Sequence, residues 1–230
     1  MSKRKKIILC LILAVVVLGV GATMATLVAV MGSKTNKFHS GAVAMNVKLR
    51  EPLWDGYTWD DPDPTGETAK NESDDLGVNQ AKSYSRGQTI PKDPTVKNTS
   101  TDNAVYVAIR VKYQIKDQKV SYSNFKSQLL KTEGLDFKDG WVCSSDDNNG
   151  QTYFYGAKSE NDGYSLTSLA ANTEAPSLFT KVPISDTVAI TDGKLPTFKI
   201  TVKAYAVQAA GVSQADAIEA LNNLIASNPI

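Results

Sequence analysis

The residues of this 230-residue chain best spaced for chemistry lie in one acidic stretch. Asp61, Asp63, Thr65, Gly66 and Glu72 fit the Asp-x-Asp-x-Thr-Gly-x5-Glu spacing of a calcium loop, with oxygen donors around a glycine turn. Hard oxygen ligands wrapped around a divalent cation are the chemistry this spacing serves. Pro62 and Pro64 stand inside the loop, Thr68 replaces the usual apolar residue, and no helical pattern flanks it. A solvated acidic loop is the simpler reading, against which Asp61, Asp63, Thr65 and Glu72 stand as the candidate calcium ligands. No other cofactor is expected. Asp146, Asp147, Asn148 and Asn149 also gather oxygens, but turn chemistry accounts for them.

Parts for hydrolysis are few. His39 is the single histidine, and Cys10 and Cys143 are the two cysteines. A zinc site needs several His, Cys or carboxylate ligands, and neither a His-Glu-x-x-His helix nor a Gly-x-Ser-x-Gly elbow occurs. Cys143, between Val142 and Ser144, reads as a strand residue. No catalytic residue is assigned, and the expectation is a non-enzyme. Trp54, Tyr57 and Trp59 form an aromatic group, with Tyr57 and Trp59 on one strand face. Exposed, they would offer a sugar or partner surface; buried, they would anchor their loop. The sequons at Asn71 and Asn98 read as incidental.

The elements that must position these groups are strands. Val105, Val107, Ile109, Val111, Tyr113 and Ile115 alternate with Tyr106, Ala108, Arg110, Lys112, Gln114 and Lys116. Phe198, Ile200, Val202, Ala204 and Ala206 repeat that period near the end of the chain, and Val43, Met45, Val47 and Leu49 near its start. Shorter strands are expected at 95–98, 140–144, 152–156 and 178–184. The Asp146–Gly150 run should turn a hairpin, with Gly and Asn taking positive φ. Helices are expected over 123–130, burying Phe125, Leu129 and Leu130, and over 213–226. The latter has Ser213 as N-cap and Ile218, Leu221 and Ile225 buried. The pattern predicts an all-β fold, an antiparallel β-sandwich of jelly-roll type with one or two short helices and a long acidic loop. That loop spans 51–86.

Lys3, Arg4, Lys5 and Lys6 precede an uncharged run from Ile7 to Met31, which is the pattern of an export leader. Without those four cations, 21 basic residues face 24 acidic ones, a net charge of −3. No basic cluster in the sequence suggests nucleic acid. The run is also long enough to span a bilayer. Cleavage after Ala25 would divide the chain into a signal peptide, 1–25, and a single secreted domain, 26–230. It would leave Leu27, Val28, Ala29, Val30 and Met31 as an apolar, strand-forming mature terminus suited to joining a neighbour's sheet edge. The alternative is an uncleaved anchor displaying an adhesin-like domain at the cell surface, touching the membrane only through the leader.

Several segments occur in an order met elsewhere. They are Lys34–Phe38, Gly41–Val47, Gly87–Thr99 leading into Ala104–Lys112, Gly140-Trp141, Tyr153–Tyr155, Ser177–Val182 and Ile200–Ala209, followed by an Ala-rich helix. In this order, from the leader to about Ala220, the chain resembles the TasA/camelysin family of exported proteins of Gram-positive bacteria. The resemblance implies a jelly-roll domain, processing by a dedicated signal peptidase, and secretion. It also implies self-association or assembly with related subunits into biofilm-matrix fibres by N-terminal strand donation. A peptidase activity attached to the camelysin branch is the less favoured expectation. The chain departs from the family pattern just after the expected cleavage point, where Leu27–Gly32 lacks an aromatic-then-acidic pair, and in the loop 51–86.

Overall fold

The computed structural model describes residues 28–30, 38–40, 43–45, 47–62, 68–159 and 163–230, the first three segments as strand backbone only. The described strands begin with β1 (Val28–Val30), β2 (Phe38–Ser40), β3 (Val43–Met45), β4 (Val47–Arg50), β5 (Thr89–Pro91) and β6 (Thr95–Asn98). They continue with β7 (Val105–Ile115), β8 (Gln118–Val120), β9 (Trp141–Asp147), β10 (Gly150–Lys158), β11 (Tyr164–Leu166), β12 (Lys181–Pro183) and β13 (Phe198–Gln208). Among the described residues four helices punctuate them: α1 (Pro52–Asp55), α2 (Gly77–Ala81), α3 (Tyr122–Leu129) and α4 (Gln214–Ser227). The fold is all-β, mostly antiparallel sheets with a few short helices. Among the described residues no helix is long and apolar enough to cross a membrane.

The two clearest alternating segments are partners. β13 and β7 pair antiparallel along their whole length, Phe198 opposite Ile115 and Gln208 opposite Val105. β10 joins the other edge of β7 and β9 the outer edge of β10, while β8 folds back on the end of β7. The odd-numbered residues of β7 are all buried, as the alternation predicts, and they share one core with Val202, Ala204 and Ala206 of β13. That core continues into Val47 and Leu49 of β4, Ile90 of β5, Val96 of β6 and Val182 of β12. Those strands form two short pairs, β4 with β6 and β5 with β12. Single hydrogen bonds extend the contact, from Leu178 N to Pro94 O and from Ala175 N to Val96 O. Pro91, Pro94, Pro176 and Pro183 interrupt any longer ladder there, because proline cannot donate to one. The expected strand 178–184 accordingly contracts to β12.

The opposite face of the β7–β13 sheet is only partly dry. α4 covers Ala108, Phe154 and Tyr205 with Ala217, Leu221 and Leu224. The helix starts where expected, Ser213 Oγ accepting from Asp216 N at 3.2 Å. Its buried stripe is displaced from expectation, with Ile218 and Ile225 at the margin rather than the centre. Ala217 is fully buried in the stripe, and the larger branched residues stand to its sides. α3 begins one residue earlier than expected, capped by Ser121.

The β9–β10 hairpin closes through Asn148 and Asn149, between the paired residues Asp147 and Gly150. Only Gly150 of the expected turn residues takes positive φ, +120°, and a Cβ there would stand 2.0 Å from Val111 O. The asparagines serve differently: Asn149 N donates to Asp147 Oδ1 at 2.6 Å.

Candidate functional site

The expected donor segment divides at the limits of the description. Ala25, Leu27 and Met31 lie outside the described residues, while Val28, Ala29 and Val30 form β1. β1 pairs antiparallel with the outer edge of β13 in the same chain, Val28 opposite Val207, Ala29 opposite Ala206 and Val30 opposite Tyr205. Such pairing uses backbone groups alone and needs no particular side chain. The edge it occupies runs on toward Phe198.

Along that continuation lies a cavity of about 620 Å³. One wall is the end of β13, with Phe198, Ile200 and Val202; the other includes Trp54 of α1, Tyr84 and Ile90. Tyr84 fixes the mouth, its ring edge-on to Phe198 at 5.1 Å and its hydroxyl donating to Pro196 O. The acidic stretch 51–86 is therefore not simply a solvated loop. Its two helical turns pack Trp54 against the main core.

Beneath Trp54 sits a charged cluster. Lys92 Nζ lies 2.8 and 2.9 Å from the two carboxylate oxygens of Glu51 and 4.3 Å from the centre of the Trp54 ring. Asp93 Oδ1 accepts from Leu53 N at 2.7 Å, holding α1 against the strand layer. Burial pushes the Asp93 carboxyl up to about 7, with Glu51 adding to the rise and hydrogen bonds from Leu53 and Trp54 opposing it. Asp55 rises to about 6 for the same leading reason, although its carboxylate accepts from Tyr57 N. The cluster thus holds one buried ammonium and two carboxyls able to carry protons near neutrality. Sequence reading missed it because Glu51 and Asp55 lie about forty positions from Lys92 and Asp93. The only signal was the Lys92-Asp93 pair ahead of Pro94.

Of the candidate calcium ligands, only Asp61 and Glu72 are described. Asp63, Thr65 and Gly66 lie outside the described residues, and Glu72 is exposed. Both oxygens of Asp61 are engaged by the chain itself: Oδ1 accepts from Lys70 Nζ at 2.6 Å, and Oδ2 from the amide and hydroxyl of Thr58. The Lys70 ammonium, then the Thr58 donors, hold Asp61 down to about 2. Among the described residues, no group of three His, Cys, Asp or Glu is placed to hold a metal.

Other candidates have structural work. Cys143 lies half-buried in β9, its Sγ 3.4 Å from Ser145 O, and burial raises its thiol pKa, which suits an inert strand residue. Trp59 Nε1 donates to Glu174, and its ring faces Lys97 Nζ at 5.7 Å. Asn98 is fully buried: its amide donates to Asn103 O and Leu169 O while its oxygen accepts from Ser100, so this sequon is a structural clasp. His39 belongs to β2.

No family model, no curated protein and no solved structure matches this chain.

Proposed function

We propose that this chain is an exported, non-enzymatic subunit or accessory component of an extracellular fibre or biofilm matrix. Its antiparallel sheets form a jelly-roll sandwich, and the segment Leu27–Met31 is donated to a sheet edge of a neighbouring copy or a related subunit. The observation that carries this reading is the register of β1, Val28 opposite Val207 and Val30 opposite Tyr205. A backbone ladder does not distinguish which copy supplies the strand. The edge that receives Val28–Val30 in one chain therefore suits the same segment of another, an exchange of identical elements. The order of segments shared with the TasA/camelysin family supports the same reading.

Deleting residues 27–31 and imaging the secreted protein by electron microscopy tests it. The expected result is loss of fibres with the domain still folded; fibres unchanged by the deletion overturn strand donation. A second reading, a membrane-tethered surface domain, draws on the length of the apolar run from Ile7 to Met31. N-terminal sequencing separates the two. A mature terminus following Ala25 supports secretion, and an intact leader supports the tether.

A further inference from the structure

Arg110 of β7 stands directly opposite Lys203 of β13. Like charges paired across antiparallel strands repel, yet here the repulsion is compounded. Cross-strand partners share a face, and the same face carries Lys112 opposite Thr201 and Gln114 opposite both Lys199 and Lys119. Five cations from three strands thus share the face that α4 packs on, with Arg110 buried beside the helix and Lys119 and Lys199 at the open end. Asp147 pairs with Arg110 at 2.9 Å, while Lys112 and Lys203 reach the main-chain oxygens of Ile230 and Asn228. Burial, then the fields of Lys119 and Arg110, hold Lys112 below the usual lysine range. Lys119 and Lys199 are both exposed, and Lys199 also makes a contact within its own chain. This basic face sits on a mature chain of net charge −3.

The complement is on the same molecule. The excursion 51–86 presents Asp60, Glu72, Asp74 and Asp75 to solvent, with Asp74 and Asp75 in the turn before α2. We propose that the basic face of one copy receives the acidic excursion of the next, with Lys119 and Lys199 meeting Asp74 and Asp75. The contact joins two different patches, so it is heterologous, and repeated without closure it propagates an open filament. It orients successive copies by charge before any strand is exchanged. The inference rests on the self-assembly reading above and adds the surface that aligns the copies.

The experiment follows assembly of the secreted full chain by light scattering and electron microscopy. Raising salt from about 0.1 M to about 1 M shortens the Debye length from about 10 Å to about 3 Å and should slow assembly roughly tenfold or more. A basic-face variant (Lys119→Glu with Lys199→Glu) and an acidic variant (Asp74→Lys with Asp75→Lys) should each assemble roughly tenfold or more slowly alone. Mixed in equal amounts they should regain the wild-type rate as alternating copolymers, because each supplies the charge the other has lost. Unchanged melting of both variants separates this from misfolding, and neutral Gln replacements of the two lysines give an intermediate rate. Salt-insensitive assembly, wild-type rates in the single variants, or no recovery in the mixture overturns the charge contact while leaving strand donation standing. A wild-type chain that forms no assemblies at any salt overturns both.

Discussion

Lys92 holds its ammonium 2.8 Å from a carboxylate oxygen of Glu51, joining the start of the acidic excursion to the strand layer beneath it. Both side chains are largely withdrawn from water, 6% and 16% exposed. Removing one partner from a buried pair leaves the other charge uncompensated, the costlier of the two ways to alter it. Lys92→Met should therefore destabilise the domain by about 3 kcal/mol or more, read from urea unfolding. Lys92→Met with Glu51→Gln should recover most of the loss. A double variant no better than the single one would deny the pairing.

Asp55 and Asp93 make stability depend on pH in an unusual direction. Their folded values, about 6 and about 7, lie above those of the unfolded chain. Between roughly pH 4 and 7 the folded state therefore binds protons the unfolded state has released, and stability falls as pH rises. Their contribution is fully present below about pH 4 and is lost through pH 6 to 7. Urea midpoints should decline across this range. Asp93→Asn, whose amide oxygen can still accept from Leu53 N, should flatten the decline. An equally steep profile in that variant would reassign the titration.

Gly77 lies where the excursion packs tightly against the body of the domain. A Cβ there would stand 1.9 Å from Pro91 O and 2.6 Å from the Trp54 ring. Backbone cannot yield as a flexible side chain does, so Gly77→Ala should cost about 1–3 kcal/mol, with overpacking as the cause. A shift in tryptophan emission should accompany the loss as Trp54 is displaced. Unchanged stability and emission would mean the approach is looser.

Leu221 is fully buried where α4 meets the sheet. Leu221→Ala should cost about 3 kcal/mol through lost burial and the cavity left behind, measured by thermal or urea unfolding. Ile218→Ala, on the half-buried flank, should cost clearly less. The reverse order would restore the stripe first expected from the sequence.

The fold was most legible where period-two alternation had one face to report. β7 and β13 read correctly because a single continuous core covers their inward faces from Val105 to Ile115 and from Phe198 to Ala206. The opposing layer was harder to read, since its strands are short and its prolines stop the ladders before a period can be counted. Helix α4 was located by its cap but rotated, because Ala217 carries too little hydrophobic weight to mark the buried stripe. The charged features were the least legible. Glu51 and Lys92 meet only in three dimensions, and the basic face collects Arg110, Lys119 and Lys203 from strands nearly a hundred positions apart. In sequence those cations look like ordinary polar positions of alternating strands.

β1 also sets a timescale. Three residues pair with Tyr205–Val207, whereas β7 is paired along its whole length. Detaching so short an edge is a local opening, far below the free energy of unfolding the domain. Amide protons on the β1 side of Ala206 should exchange long before those inside β7. Under the proposed strand donation, the waiting time for a chain to become available to a neighbour is that of a fraying edge, and a folded store of subunits would remain ready without being unfolded first.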